Sequence, residues 1–410
     1  MVYNGKYEGN IGRNERMSYR YLLDLALILL STKVLSLVTR RFKLPQVVGA
    51  LLAGLVLGPA IFNVINETDF ITRLAELGVI VLLFTAGLES NISDFKKNGK
   101  VAFIVACLGV IVPLIGGTIL GFIVNGGDFL NKTQMIQNIF VGSVLTATSV
   151  SITVETLKEL GKISTNVGNV IIGAAIIDDV LGMLVLTIVT GLSDSSVNIG
   201  IVILKIVGFF AFAIIVGYIT YILFNKWIYK YNIDKRRFVI AAFVFCLLLA
   251  FSAEQFFGVA DITGAFIAGL VLAGNKETPY ITKRFETLSY MILSPVFFAS
   301  IGLSVKFPHF NEKLIIVTIA LITIAIITKI IGCGLGAKAC GFNNKESVQI
   351  GTGMVSRGEV TLIIASKGLS LGLLSNYFLT PIIMMVVVTS ILTPILLKLV
   401  FSKENKKVEC

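Results

Sequence analysis

Long apolar runs separated by short polar punctuation dominate the chain from residue 20 onward. A membrane helix needs about 20 mostly apolar residues. Runs of that kind, bounded by Lys/Arg, Pro/Gly and Asn/Asp, fall at roughly 20–39, 45–63, 70–90, 100–125, 134–158, 164–190, 198–225, 237–253, 258–274, 284–304, 313–337, 346–369 and 376–401. The pattern predicts an all-α polytopic membrane protein with about thirteen transmembrane helices. The eighth and ninth runs are divided only by Glu254-Gln255-Phe256-Phe257-Gly258, read as a short turn.

Composition agrees with lipid as the solvent. Apolar residues make up 55% of the chain and charged residues 14%, against about 25% charged in a soluble domain. The net charge of +11 is placed as a topology signal and does not suggest nucleic-acid binding. Basic residues gather on alternate loops: Arg40, Arg41 and Lys43; Lys96, Lys97 and Lys100; Lys158 and Lys162; Lys226, Lys230, Lys235, Arg236 and Arg237; Lys276, Lys283 and Arg284; and the C-terminal tail. By the positive-inside rule these loops are cytoplasmic, the N-terminus is outside and the C-terminus is cytoplasmic. No cleavable leader is expected at residues 1–19, where Met17 is an alternative start. The five cysteines, Cys107, Cys246, Cys333, Cys340 and Cys410, lack metal-ligand or C-x-x-C spacing, so neither disulfides nor zinc is expected. His309 is the single histidine, which leaves almost no material for His-based metal sites or Ser-His-Asp catalysis. No cofactor and no enzymatic activity are expected.

An internal repeat runs through the pattern. Gly49-Ala50-Leu51-Leu52-Ala53-Gly54-Leu55-Val56-Leu57 matches Gly264-Ala265-Phe266-Ile267-Ala268-Gly269-Leu270-Val271-Leu272 at seven of nine positions, 215 residues apart. Thr85-Ala86-Gly87-Leu88 and Ser300-Ile301-Gly302-Leu303 stand at the same offset. The second and ninth runs point in opposite directions across the membrane. The chain therefore reads as six helices, a linker helix and six inverted helices, the plan of alternating-access transporters.

An ionisable residue deep in a membrane helix costs roughly 2.5–3.5 kcal/mol on insertion scales, and so marks function by default. Asp178 and Asp179 are adjacent in the middle of the sixth run. Neighbouring carboxylates in low dielectric cannot both ionise cheaply, and their side chains point about 100° apart on a helix. Lys329, in the eleventh run, is the obvious cation at comparable depth, with snorkelling to the inner interface as the plainer alternative. Two runs are interrupted near their middles by small and polar residues. The fifth carries Thr146, Thr148, Ser149, Ser151 and Thr153, and the twelfth carries Gly351-Thr352-Gly353-Met354-Val355-Ser356-Arg357-Gly358-Glu359. Both read as broken helices whose ends and carbonyls face ions, with Arg357 and Glu359 neutralising those ends or each other. Glu76, Glu254, Asp261 and Glu286 read as interface residues, and Glu155 as a residue near the inner mouth of a pathway.

Together, the thirteen-run pattern, Thr148-Ser149, Asp178-Asp179, Lys329 and Ser356-Arg357-Gly358-Glu359-Val360 resemble the NapA-like sodium/proton antiporters. These belong to the second monovalent cation:proton antiporter family, alongside the Kef-type potassium-efflux and spore-germination antiporters. The resemblance implies a homodimer. Each protomer would have a dimerisation scaffold at 20–97 and 235–310, an ion-transporting core at 98–192 and 311–402 with two crossed discontinuous helices, and a linker helix at 193–234. Polar tails would occupy 1–19 and 403–410. It further implies that Asp179 binds Na+ or a proton, that Asp178 pairs with Lys329, that Thr148 and Ser149 flank the site, and that Arg357 and Glu359 support it. The potassium-efflux branch often has Gln-Asp at the aspartate pair and a soluble nucleotide-binding domain. Asp178-Asp179 and a chain ending at Cys410 favour sodium, with Li+ also accepted.

The chemistry expected is competition between a small hard cation, which prefers oxygen ligands, and a proton for Asp179. The core would move only when that site is filled. Release of a proton from Lys329 would make the cycle electrogenic. A K+/H+ antiporter is the nearest alternative. A channel and an organic-anion carrier fit less well, and adjacent aspartates on one helix cannot form an aspartyl-protease dyad. Membrane lipid is the expected surrounding partner, with anionic lipid drawn to the basic loops.

Overall fold

The computed structural model describes residues 19–42, 44–90, 92–125, 131–193, 199–230, 235–305 and 312–402. The N-terminal tail with Met17, Lys43, Lys306, His309, the tail from residue 403 and the side chain of Glu359 lie outside the described residues. Among the described residues every regular element is helical. The elements are α1 Arg20–Arg41, α2 Gln46–Leu57, α3 Asp69–Glu89, α4 Ile92–Asn125, α5 Lys132–Val144, α6 Val150–Glu159, α7 Asn166–Ser193, α8 Ile199–Lys230, α9 Lys235–Ser252, α10 Asp261–Leu272, α11 Thr278–Leu288, α12 Ser294–Leu303, α13 Glu312–Ala339, α14 Asn344–Gly353, α15 Glu359–Ser370 and α16 Leu379–Ser402.

Nine helical stretches among the described residues are long and apolar enough to cross a membrane. These are α1, α3, α4, α7, α8, α9, the α11–α12 pair, α13 and α16. The other sequence runs fold as shorter pieces. α2 and α10, both apolar, have 12 residues each. The fifth and twelfth runs are split into α5/α6 and α14/α15. One sequence reading is corrected. Residues 253–257, taken as a turn, form a π-helical turn that prolongs α9, and the chain reverses only at Gly258, whose φ of 64° suits a residue without Cβ. A second π turn, Ser289–Leu293, joins α11 to α12. Leu204, Ile214, Ile215 and Leu223 on α8 and Leu23, Leu30 and Leu37 on α1 are exposed, an outer surface suited to lipid hydrocarbon.

The two interruptions meet. Residues 145–149 and 354–358 leave the helical path. The Ser149 N–H donates to the Ser356 carbonyl (2.8 Å), and the Ser356 hydroxyl donates to the Ser149 carbonyl (2.7 Å). The Thr153 hydroxyl reaches the Gly353 carbonyl at 2.7 Å. Away from water a freed backbone group must find an internal partner, and each break supplies the other's.

Four glycines bring helices to backbone contact. A Cβ on Gly54 would lie 1.9 Å from the Ala299 carbonyl oxygen, and one on Gly302 would lie 2.4 Å from the Leu55 nitrogen. Likewise, a Cβ on Gly87 would lie 2.2 Å from the Phe266 oxygen, and one on Gly269 would lie 2.2 Å from the Phe84 oxygen. Thus α2 crosses α12 at Gly54 and Gly302, and α10 crosses α3 at Gly269 and Gly87. Such crossings need small residues. Gly54→Leu is expected to destabilise the fold by about 3 kcal/mol through overpacking against backbone and to lower the thermal midpoint of the detergent-purified protein. Gly99→Ala, where a Cβ meets nothing within 4 Å, is expected to leave that midpoint unchanged or slightly raised.

Candidate ion-binding site

The site is built around α7. Its apolar run places Asp178 and Asp179 mid-helix. Asp178 is fully buried and Asp179 nearly so, at 9% exposure. The Lys329 ammonium, on α13, donates to Asp178 Oδ1 at 2.7 Å, and both side chains are 0% exposed. The snorkelling alternative for Lys329 is therefore excluded. Space for the pair comes from α4. A Cβ on Gly109 would meet Cys333 Sγ at 2.5 Å and would stand 3.6 Å from Lys329 Nζ and 3.7 Å from Asp178 Oδ1. A larger side chain there would press on the ion pair. Breaking such a pair costs about 3–5 kcal/mol because a charge is left alone in low dielectric.

Arg357 is fully buried, among the largest such side chains of the described residues. It sits in the break between α14 and α15, and its guanidinium donates to the carbonyls of Thr146 (3.2 Å), Ala147 and, more weakly, Ala325 (3.5 Å). Those acceptors include the carbonyls just past the last turn of α5, where a helix carries partial negative charge. The helix-end contact expected for Arg357 is present; its other alternative, Glu359, has a side chain outside the described residues. The Arg357 backbone is held in turn by α16: its N–H donates to Thr389 Oγ1 (3.2 Å), and the Ser390 hydroxyl donates to the Arg357 carbonyl (2.8 Å).

Thr148 and Ser149 lie in the other break. Thr148 is 2% exposed, and among the described residues its hydroxyl has no hydrogen-bond partner. Ser149 begins α6, and its hydroxyl lies 3.3 Å from that of Ser151. A Cβ on Gly182, one turn on from the aspartates, would stand 3.8 Å from Thr146 Oγ1, so α7 presents this stretch to the break. Glu359 opens α15, but its side chain lies outside the described residues, so its predicted place near Lys329 is not part of this geometry.

Two cavities lie between neighbouring groups of helices, and neither is lined by the aspartates, Lys329, Thr148 or Ser149. One, of about 810 Å³, is bounded by α3, α9, α10 and α12 on one side and by α15 and α16 on the other. Glu76, Glu254 and Asp261, read as interface residues, line it. The other, of about 580 Å³, lies between α1, α2 and the α11–α12 segment on one side and α6 on the other, with Glu155, Lys158, Glu159 and Glu286 in its wall. Here the end of α6 is tied across the gap. The Lys158 ammonium bridges Glu89 (2.9 Å) and Glu286 (3.2 Å), and the Glu159 carboxylate accepts the N–H groups of Gln46 (2.7 Å) and Val47 (3.1 Å) at the start of α2.

Sequence reasoning missed Gly109, the Thr389-Ser390 support of Arg357 and the Glu89–Lys158–Glu286 cluster. The hydroxyl pair inside the last apolar run was a signal for the second. The first and third depend on which helices adjoin, which spacing along the chain does not encode.

The chain matches the family model described as sodium/hydrogen exchanger, transmembrane, over residues 26–403. It is 38% identical over 391 residues to the Na(+)/H(+)-K(+) antiporter GerN of Bacillus cereus, covering 95% of this chain and 98% of that protein. It is 36% identical over 387 residues to a Na(+)/H(+) antiporter of Enterococcus hirae, covering 91% and 96%. Its fold is similar to that of the sodium proton antiporter MjNhaP1 of Methanocaldococcus jannaschii, with a TM-score of 0.66 at 19% identity over 92% and 95% of the two chains. The described helices, the buried charges and these likenesses agree: the chain belongs to the transmembrane sodium/hydrogen exchanger family, a family of multi-pass membrane antiporters.

Proposed function

We propose that the protein exchanges Na+, and also Li+, for H+ across the cell membrane, with Asp179 the carboxylate for which cation and proton compete. The observation that carries this reading is the fully buried 2.7 Å pair of Lys329 and Asp178 directly beside Asp179. Asp178 is engaged by a cation of the protein, and Asp179, nearly buried next to it on α7, is the carboxylate this reading assigns to the exchangeable ion. Sodium takes oxygen ligands, and the buried Thr148 hydroxyl, which has no hydrogen-bond partner among the described residues, supplies the right chemistry beside the break. Ser149 would shape that break. Arg357 would hold its shape from the opposite side, and Glu359 would support Lys329.

In this reading about thirteen spans form two inverted six-helix repeats around the linker helix at 193–234. The equivalent crossings of Gly54 with Gly302 and Gly269 with Gly87, exchanged by the offset of 215 residues, support the repeat. The hydrogen bonds between residues 149 and 356 support two crossed discontinuous helices. The segments 20–97 and 235–310 form a scaffold through which two copies dimerise within the lipid. The segments 98–192 and 311–402 move as an elevator-like core. The N-terminus is outside and the basic loops are cytoplasmic. K+/H+ exchange is the second reading, favoured by the Na(+)/H(+)-K(+) name of the Bacillus cereus relative.

In liposomes with an imposed pH gradient, addition of Na+ or Li+ is expected to trigger proton release from the wild type and none from Asp179→Asn. Release with K+ alone would select the second reading, and full activity of the variant would remove Asp179 from the site. Separately, Lys329→Met is expected to destabilise the protein by about 3–5 kcal/mol by stranding the Asp178 carboxylate. Adding Asp178→Asn is expected to recover most of that loss, a non-additivity read by unfolding all three variants in detergent.

A further inference from the structure

One wall of the 580 Å³ cavity is formed by Glu155, Lys158 and Glu159 of α6. Ser151, one turn before Glu155 on the same face of the helix, is buried beyond that wall. Ser151 adjoins Ser149 at the break. Glu159, at the far end, is occupied with the start of α2, and Lys158 is occupied by Glu89 and Glu286. Glu155 differs from its neighbours. It lines the cavity, it is half-buried, and among the described residues no hydrogen bond or ion pair engages its carboxylate. The charges nearest it are Glu159, Lys158, Glu89 and Glu286, and Lys33 also lines the cavity; with Glu155 itself, four carboxylates stand against two lysines. At about 1.5 Å of rise per residue, Glu155 stands about 9 Å along α6 from Ser149 and about 6 Å from the helix end. It lies between the solvent of the basic face and the break beside the aspartates.

We propose that Glu155 is a staging carboxylate for the transported cation on the basic face. A monovalent cation entering the 580 Å³ cavity is held first at Glu155 and then passes along the Ser151–Ser149 side of α6 to the break. Lys158 and Glu159 serve this arrangement by being held elsewhere. Lys158 is ion-paired with two scaffold carboxylates, so its charge is shared with them and offsets that of Glu155 only in part. Glu155 thereby acts on affinity from one side of the membrane only, in contrast to Asp179, which both sides share. This inference rests on the exchange reading above and deepens it.

The test measures the Na+ concentration for half-maximal proton movement separately in inverted and right-side-out membrane vesicles, for wild type, Glu155→Gln, Glu155→Asp and Asp179→Asn. Glu155→Gln is expected to raise that concentration about fivefold with Na+ on the basic face, the scale of one carboxylate acting at about 9 Å through a dielectric between water and protein. It is expected to leave the value at the other face unchanged, and Glu155→Asp is expected to stay within about twofold of wild type on both faces. Equal shifts on both faces, or none on either, overturn the staging role while leaving wild-type exchange and its loss in Asp179→Asn intact. A wild type that moves no protons with Na+, Li+ or K+ overturns the exchange reading together with this one. If Glu155→Gln does not reach the membrane, Glu155→Ser takes its place with the same one-sided shift expected, and a two-sided or absent shift has the same force.

Discussion

Two opposite charges shut away from water, 2.7 Å apart between α7 and α13, set the terms for everything around them. Neither partner tolerates the other's absence, so α7 and α13 are registered to each other at this depth. α4 fits between them because Gly109 presents only hydrogen to the pair. Cys333, four residues after Lys329 on α13, packs against the same gap as a small apolar group. A pair so placed adds little net stability compared with apolar residues of the same volume, because desolvation offsets attraction. Its value is positional: it holds Asp178 and Lys329 in register and so fixes where α7 stands against α13.

The two helix breaks solve a different problem with the same economy. An interruption in a helix within lipid exposes backbone groups that only protein can satisfy. Here residues 149 and 356 answer each other directly, while Arg357 places a full positive charge on the carbonyls that follow α5. That charge offsets the negative pole of α5, so the break can stay open without collapsing into continuous helix. α16 completes the arrangement through Thr389 and Ser390, which fix the Arg357 backbone.

Much of this was legible in the linear chain, for reasons that differ from part to part. Apolar run length is a one-dimensional property, so the long helices could be read directly. The breaks announced themselves as Thr-Ser and Gly-Thr-Gly clusters inside apolar runs, and Asp178, Asp179 and Lys329 as charges where lipid forbids them. What could not be read was adjacency. Glu286 looked like an interface residue because nothing along the chain says that α11 stands beside the end of α6, where Lys158 waits. Gly109 looked like any membrane glycine until α13 was placed against it. The π turn at 253–257 was mistaken for a reversal because Glu254 and Gln255 are polar, whereas the chain turns at Gly258, where left-handed backbone is cheap.

The four crossing glycines carry a consequence for how such a chain can change. Gly54 and Gly302 occupy one crossing, Gly87 and Gly269 the other, and at each the backbones are too close for a side chain on either partner. A substitution at one position cannot be compensated by shrinking its partner, which is already the smallest residue available. Repair would require the two helices to separate, carrying every neighbouring contact with them. The four positions therefore behave as dead ends for sequence drift: variation can accumulate around them, on the lipid faces of α1 and α8 above all, but not through them.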